Sequence, residues 1–444
     1  MRFSTVGDWL AWQETLHPQA IDLGLDRISR VWRRMDMGFT GARVITVAGT
    51  NGKGSCVAIL EAILLAAGYH VGAYTSPHLL RYNERIRIDG CEVRDSELCR
   101  VFEIVDRSRQ EDSLSYFEFG TLAALAVFAA CKPDVMILEV GLGGRLDAVN
   151  IIDADIALIS SIAIDHTDWL GSDREQIGRE KSGIFRTGKP VVCADPRPPA
   201  SLAAEAQRLG APFHCLEQTF TAIPADGDGL HWHWRGNTVA GQSIDISGLP
   251  PPSLSGDVQR YNAAGVIQVL MLLADLLPVS QQAIIAGLHD VRLPGRYQVS
   301  YCCPPGLRHC PADTPGAIAV IADVAHNPAA AQVLARTLVA DDWGGRTHAV
   351  IGLLADKDIA SVVAELVPVI DNWYVVDLAV QRASPAAVIM TALIAAGVSA
   401  EQVTVCPDPA AGVAQALELA VAGRDRVLVT GSFYSVSGFL SALQ

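Results

Sequence analysis

The sequence predicts an α/β protein in two parts, each built on an open and mostly parallel sheet. Three observations carry that prediction. Strand-like and helical stretches alternate through the first ~200 residues. Apolar runs such as Val135–Val140 are continuous rather than alternating, as in strands covered on both faces. From Ala317 onward a second, shorter alternation begins, after the Pro-Gly stretch at Leu293-Pro294-Gly295-Arg296.

The first element is the most informative. Residues 43–55 read Arg-Val-Ile-Thr-Val-Ala-Gly-Thr-Asn-Gly-Lys-Gly-Ser. A β-branched run ends in a glycine-rich turn with one lysine, and an alanine-rich helical pattern follows from Ser55 to Ala67. Backbone N–H groups of such a turn and of the helix start attract anions. Lys53 adds a full positive charge, and the Ser55 hydroxyl is placed to reach a bound Mg²⁺. The ligand this chemistry calls for is a nucleoside triphosphate. The common pattern is G-x-x-x-x-G-K-[ST]; here Ser55 comes two residues after Lys53, and Val47 stands where the first glycine would be. The plainer alternative is a glycine turn capping a helix, and the order strand, loop, lysine, helix argues against it.

The following strands end in polar residues. Val71–Thr75 leads into Ser76-Pro77-His78, and Glu139 closes the run from Val135 before Gly141-Leu142-Gly143-Gly144-Arg145. Ile156–Ile162 leads to Asp165-His166-Thr167-Asp168. Side chains at strand C-termini of such sheets face the ligand crevice. Ser76, Glu139 and His166 are thus candidates to converge on one hard cation. Mg²⁺ suits oxygen donors and substrate phosphates, whereas imidazole is a less usual ligand for it. For His166 the spacing leaves metal ligand, base and strand cap open. Glu180-Lys181 reads, from the residues alone, as a solvated pair at a helix end.

Residues 213–250 change character: Trp232 and Trp234 alternate with His231 and His233, which predicts a small β-meander or hairpin insert. Leu293–Arg296 reads as a hinge, and Tyr301–Thr314, rich in Pro and Cys, as a surface excursion. The second part is expected to hold strands at Ile318–Ala322, Ala349–Leu353, Trp373–Asp377, Val403–Cys406 and Arg426–Thr430. The fold class is therefore α/β: a P-loop-type parallel-sheet ATPase domain with a small β insert, followed by a smaller Rossmann-like α/β domain. The expected domains are 1–294 and 295–444.

Composition sets further bounds. A net charge of −14 over 444 residues argues against a nucleic-acid surface, so an anionic substrate must be met by local charge. The longest uncharged apolar run, Leu122–Cys131, is too short to span a bilayer. The segment Met1–Asp8 lacks the basic-then-apolar layout of a signal peptide, which points to a cytoplasmic protein. Ten scattered cysteines without Cys-x-x-Cys argue against zinc and a disulfide framework, so free thiols are expected. Nothing marks an interface, and a monomer is the expectation.

The loop Gly49–Ser55 resembles the variant loop of the Mur ligase superfamily, which joins a carboxylate to an amine with ATP. Together with Ser76-Pro77-His78-Leu79, Glu139–Asp147, Asp165-His166-Thr167 and Gly178-Arg179-Glu180-Lys181, it resembles the dihydrofolate synthase/folylpolyglutamate synthase family. The likeness continues in order through Asn262-Ala263-Ala264, Leu293–Arg296, Asp323–Asn327 and Gly431-Ser432-Phe433. It implies that Thr50, Asn51, Gly52, Lys53, Gly54 and Ser55 bind ATP phosphates, with Asn262, Arg296 and Asp323 as further ATP contacts. It implies Mg²⁺ on Ser76, Glu139 and His166, and a carbamylated Lys181 as ligand of a second Mg²⁺. It also implies that His326 and Ser432 place the incoming glutamate. The segment Ile21-Asp22-Leu23-Gly24-Leu25-Asp26-Arg27 resembles the pterin-binding loop of the bifunctional bacterial members, which implies Asp22, Leu23, Gly24 and Leu25 as substrate contacts. Ser115, Tyr116, Phe117, Glu118 and Leu146, Asp147, Ala148 match their other pterin segments. The implied substrates are dihydropteroate, reduced folates and L-glutamate, and the implied chemistry is an acyl phosphate attacked by the glutamate amine. The chain departs from the family at Asp257–Tyr261, where many relatives carry a His-Gln pair before Asn262.

Three other readings compete. A cell-wall ligase would share loop, metal site and carbamate, but it usually begins with a separate nucleotide-sugar domain. A regulatory ATPase or GTPase would hydrolyse nucleotide with no amine acceptor. A purely folate-binding protein would leave the phosphate loop without a purpose.

Overall fold

The computed structural model describes residues 2–19, 21–38, 41–225, 231–341 and 343–444. The chain forms two compact units. The first takes in the chain through Ala163, Thr167–Ser253 and Gln259–Arg292; the second takes in Ile164–His166, Leu254–Val258 and Leu293–Gln444.

The first unit is built on eight strands. They are β1 (Arg43–Ala48), β2 (Val71–Tyr74), β3 (Ile86–Ile88), β4 (Cys91–Glu92), β5 (Val135–Glu139), β6 (Ile156–Ile159), β7 (Val191–Cys193) and β8 (Phe213–Cys215). Their order is β4-β3-β2-β5-β1-β6-β7-β8. The six strands from β2 to β8 in that order are parallel, and β3 and β4 close one edge antiparallel. β1 lies between β5 and β6, with Ile45 opposite Ile137 and Ile156. Every side chain of β5 is buried, as its continuous apolar run predicts. Since β1, β2, β5 and β6 are parallel neighbours, their C-terminal ends share one edge. β6 stops at Ile159, so Ser160–Ile162, expected as strand, form part of the loop at that edge. The helix after β1 begins at Lys53 rather than Ser55.

The tryptophan-rich insert is a three-stranded antiparallel sheet of β9 (Thr221–Pro224), β10 (Trp232–Asn237) and β11 (Ser243–Leu249), in the order β11-β10-β9. Residues 226–230 of that stretch lie outside the described residues. Alternation along β10 sends Trp232 and Trp234 to the buried side. Each indole N–H finds a carbonyl, Pro250 at 2.8 Å and Ala264 at 3.1 Å, as a buried indole requires.

The second unit holds β12 (Gln298–Cys302), β13 (Ile318–Ala322), β14 (Thr347–Ile351), β15 (Asn372–Val376), β16 (Val403–Cys406) and β17 (Arg426–Thr430), ordered β12-β13-β17-β14-β15-β16. All neighbours are parallel except β12, which runs antiparallel to β13 at the edge. Three of the expected strands fall on their bounds; β14 begins two residues early and β15 one.

The excursion after Tyr301 departs from expectation in two ways. Its first residues continue β12. Cys303 and Cys310 are joined in a disulfide, which corrects the reading of ten free thiols. The reason is local: Pro304-Pro305-Gly306 turns the chain back, and Cys302 bridges to His309. The two Cα atoms then lie 6.2 Å apart, within disulfide reach. The other eight cysteines are free. Among the described residues no helix is long and apolar enough to cross a membrane.

Candidate active site

The edge where β1, β2, β5 and β6 end gathers most of the residues singled out in the first unit. After β1 the chain turns through Gly49–Gly52, and the loop is tied to the end of β6. Thr50 N–H donates to Ser161 O at 2.6 Å, and Ser160 Oγ donates to Asn51 O at 2.7 Å. Gly52 has φ +86°, and a Cβ there would lie 2.8 Å from Asn262 Oδ1. Both facts exclude a side chain. Asn262 is thus seated against the Gly49–Gly52 turn, and its amide donates to Gln259 Oε1 at 3.0 Å. Gly54 and Ser55 open the helix Lys53–Ala66, with Ser55 buried in its first turn.

Two lysines converge on this loop. Lys53 Nζ donates to Gly49 O and Thr50 O, each at 3.1 Å. Lys181 Nζ donates to the same Gly49 carbonyl at 2.8 Å. The two ammonium groups therefore lie within the length of two hydrogen bonds of each other. Lys181 is only 4% exposed, which corrects its reading as half of a solvated pair. Its expected partner, Glu180, instead bonds Arg145 at 2.9 Å. Lys181 is buried and Lys53 half-buried, so the two like charges need negative charge near them.

One strand over, Ser76 N–H donates to Glu139 Oε2 at 3.1 Å. The structure thus brings together Ser76 and Glu139, one buried carboxylate beside one hydroxyl-bearing residue at the strand edge. That donor set fits Mg²⁺, which takes one or two protein oxygens and fills its shell with phosphates and water. Among the described residues no group of three or more His, Cys, Asp or Glu side chains is placed to hold a metal. His166 is assigned to the second unit, with φ +53°, its N–H on its neighbour Asp165.

The three pterin-like segments form a second cluster in the first unit. Arg27, from the helix Asp26–Met35, donates Nε and Nη2 to the Glu118 carboxylate at 2.9–3.1 Å and Nη1 to Asp22 Oδ2 at 2.6 Å. Glu118 also accepts Ser115 N–H at 2.8 Å in a capping box at the start of the helix Tyr116–Cys131. The hydrogen bond from Arg27 holds the Asp22 carboxyl below its ordinary range. Phe117 stacks on Tyr74 at 5.8 Å and covers Gly141, where a Cβ would meet its ring at 2.6 Å. Leu146, Asp147 and Ala148 lie at the start of a 3₁₀ turn that Asp147 caps by accepting Val149 N–H. Asp147 Oδ2 accepts Leu142 N–H at 2.8 Å. Burial pushes its carboxyl up to about 6, against those N–H groups and the charge of Lys181. Leu23, Gly24 and Leu25 are part-exposed loop residues leading into Arg27.

In the second unit the polar centre is Asp165. It accepts Lys357 Nζ at 2.7 Å and Asn327 Nδ2 at 3.0 Å, and His326 Nε2 lies 3.6 Å away. Burial opposes its charge, but the His326 hydrogen bond and the charges of His166 and Lys357 hold it well below the carboxylate range. Asp323 follows β13 and braces the turn after Gly295, accepting Tyr297 N–H and Ala325 N–H at 2.9 Å each. Burial raises its carboxyl, with the charge of Arg296 opposing. The Arg296 guanidinium lies 5.2 Å from the Phe433 ring. Ser432 caps the helix Phe433–Ala442: its Oγ accepts Ser435 N–H at 3.0 Å and pairs with Ser435 Oγ at 2.8 Å.

Asp165 was read from the sequence only as the neighbour of His166, and Arg27, Asn327 and Lys357 were given no role. Arg27 closes the pterin-like loop motif and Asn327 ends the Asp323–Asn327 motif, so both carried a signal. Lys357, in Asp356-Lys357-Asp358, reads as an ordinary solvated charge run.

Residues 47–209 match the Mur ligase middle domain, and residues 311–433 match the Mur ligase glutamate ligase domain. The chain is 42% identical to the dihydrofolate synthase/folylpolyglutamate synthase of Escherichia coli over 99% of this chain and 96% of that one. The E. coli FolC structure in complex with DHPP and ADP has a TM-score of 0.87 at 42% identity, covering 99% and 97% of the two chains. A bifunctional folylpolyglutamate synthase/dihydrofolate synthase solved with Mn, AMPPNP and L-glutamate bound gives 0.85 at 42% identity, covering 99% and 98%.

Proposed function

This chain belongs to the Mur ligase family, in its dihydrofolate synthase/folylpolyglutamate synthase branch, and on that premise we propose that it ligates L-glutamate to dihydropteroate and to reduced folates at the expense of ATP. The observation that carries the reading is the convergence of Lys53 and Lys181 on the Gly49 carbonyl, at the edge where Glu139 and Ser76 also meet. A pair of cations beside a carboxylate, at the mouth of a glycine loop, suits the triphosphate of MgATP.

The reaction has two chemical steps. The acid's carboxylate oxygen attacks the γ-phosphorus of ATP, the bond to the β–γ bridging oxygen breaks, and ADP leaves an acyl phosphate. The amine of L-glutamate then attacks the acyl carbon, the tetrahedral intermediate collapses, and inorganic phosphate departs with the amide formed. Backbone N–H groups of Thr50–Gly54 and the Lys53 ammonium offset the charge that gathers on the phosphates. Ser76 and Glu139 are the donors that would hold Mg²⁺, which when bound neutralises phosphate charge and orients the γ-phosphoryl group. Carbamylation of Lys181 would turn a buried cation into an anionic metal ligand.

Asp22, Glu118 and Asp147 supply the acceptors that a pterin's amino and ring N–H groups require, and Tyr116 and Phe117 supply flat apolar surface. In the second unit, Lys357 and His326 are the basic side chains that would receive the carboxylates of glutamate, where they now meet Asp165. Ser432 acts there as a helix cap that fixes the residues around it. Chain extension on a reduced folate uses the same steps, with the γ-carboxylate of the existing glutamate as the acid.

The test is phosphate release from MgATP by the purified protein with dihydropteroate or tetrahydrofolate, each with and without L-glutamate. Glutamate-dependent release with both acids is expected. Release with tetrahydrofolate alone would remove the dihydropteroate activity, and hydrolysis indifferent to glutamate would overturn the ligase reading.

A further inference from the structure

Arg85 is the feature of the first unit that neither the loop nor the pterin segments account for. It lies at the end of the 3₁₀ turn Tyr82–Arg85, just before β3, and is 8% exposed. A buried guanidinium ordinarily meets a carboxylate. Among the described residues Arg85 has none: its one side-chain hydrogen bond runs from Nε to the neutral acceptor His78 Nδ1, at 2.9 Å. Two aromatic rings flank it, Tyr82 at 5.2 Å and Tyr116 at 5.6 Å from Cζ. The nearby Arg87 shows the contrast, since it is matched by a bidentate pair to Glu61.

The surroundings of Arg85 are fixed. Tyr82 Oη occupies the place a Cβ of Gly120 would take, 2.4 Å from it, so the ring is locked against the helix Tyr116–Cys131. Arg85 O accepts Thr75 N–H at 2.8 Å, the residue before Ser76. Arg85 thus stands between the Ser76–Glu139 edge and Tyr116 of the acid-substrate cluster. His78 orients Nε and the two rings hold the guanidinium plane, which leaves the Nη edge, the bidentate donor face, for an anion.

We propose that Arg85 is a substrate-binding residue that receives a carboxylate of the acid substrate, a role that rests on the ligase reading above. Two carboxylates have this chemistry: the one that is phosphorylated, and the non-reacting α-carboxylate that a folate's glutamate carries and dihydropteroate lacks. Tyr82, Tyr116 and His78 act as positioning residues.

The experiment compares wild type, Arg85→Lys and Arg85→Met in glutamate-dependent phosphate release, with dihydropteroate and with tetrahydrofolate. Wild-type turnover first establishes the ligase, so its failure would count against that reading and not against Arg85. In Arg85→Met the KM for the acid is expected to rise about tenfold to a hundredfold, as for a lost charge-assisted hydrogen bond. KM for MgATP and the melting temperature should stay near wild type. Arg85→Lys keeps the charge and should recover part of the loss. A rise with both acids places the reacting carboxylate on Arg85; a rise with tetrahydrofolate alone places the α-carboxylate there. An unchanged KM for both acids, or a parallel rise in KM for MgATP in both variants, overturns the proposal.

Discussion

The two halves of the site proposed in the first unit are made in different ways. The phosphate side is one stretch of chain: β1, the turn Gly49–Gly52 and the helix from Lys53 supply donors and cation from neighbouring residues. The acid side is assembled from segments far apart in sequence, with Arg27 reaching Glu118 across 91 positions. Phosphate recognition can be local because backbone N–H groups and a strand-to-helix turn suffice for it. Recognition of a heterocycle and a carboxylate needs side chains aimed from several directions, and only the folded sheet supplies that. A single change on the phosphate side should therefore abolish chemistry with little effect on folding. A single change in the Asp22–Arg27–Glu118 group, where a buried carboxylate would lose its cation, should disturb both stability and substrate affinity.

The largest expected effect breaks the phosphate side. Lys53→Ala removes a charge aimed at the triphosphate, and kcat should fall about a thousandfold, with the urea midpoint close to wild type. Near-normal turnover in the steady-state assay would end the loop assignment. Next is Lys181→Ala, expected to lower kcat about a hundredfold and to regain activity with added short carboxylic acids that replace the carbamate. Peptide mass analysis of fully active enzyme checks the same point independently, because unmodified Lys181 there would refute carbamylation.

The acid side is sharpened by Arg27→Met. Glu118 is buried, and removing the guanidinium that grips it leaves that charge uncompensated, at a cost of about 3 kcal/mol in urea unfolding. KM for dihydropteroate should rise while KM for MgATP stays put. Adding Glu118→Gln to Arg27→Met should restore much of the stability and none of the affinity. If the single variant is as stable as wild type, the Asp22–Arg27–Glu118 group is a surface feature and not a wall of the site.

The contrast also explains what was legible in the sequence. The strand, loop and lysine at Arg43–Ser55 could be read directly, because their chemistry depends on adjacent residues. Glu139 and Ser76 were legible as strand ends, but their contact required the order β2-β5-β1, which no local pattern encodes. Lys181 read as a solvated charge because its burial comes from the Gly49 carbonyl, far along the chain. Lys357 and Arg85 escaped for the same reason: a lone cation carries no mark of the carboxylate or ring it will meet. The Cys303–Cys310 bond was missed because spacing alone does not show a turn folding back. β12 was missed because one short antiparallel edge strand resembles the loop it leads into.

An effect on stability alone, without loss of turnover as its readout, tests whether the acid side is as buried as its geometry says. Asp147 is 2% exposed, and burial pushes its carboxyl from 3.8 up to about 6. A carboxyl raised in the folded state favours folding most when protonated. Its contribution is fully present below pH 3.8 and is lost as the pH rises through about 6. At pH 7 the folded protein therefore carries a buried charge that costs up to about 3 kcal/mol relative to pH 3. Asp147→Asn removes that titration but replaces an acceptor oxygen with an amide donor, which loses one of the N–H bonds from Leu142 or Val149. That loss does not depend on pH, whereas the titration does. The informative quantity is thus the slope: the stability of Asp147→Asn relative to wild type should climb between pH 4 and pH 7 in urea titrations. A difference that stays flat over that range would mean that the carboxylate is solvated, and the acid side would then be an open groove with no heterocycle-sized enclosure around Asp147.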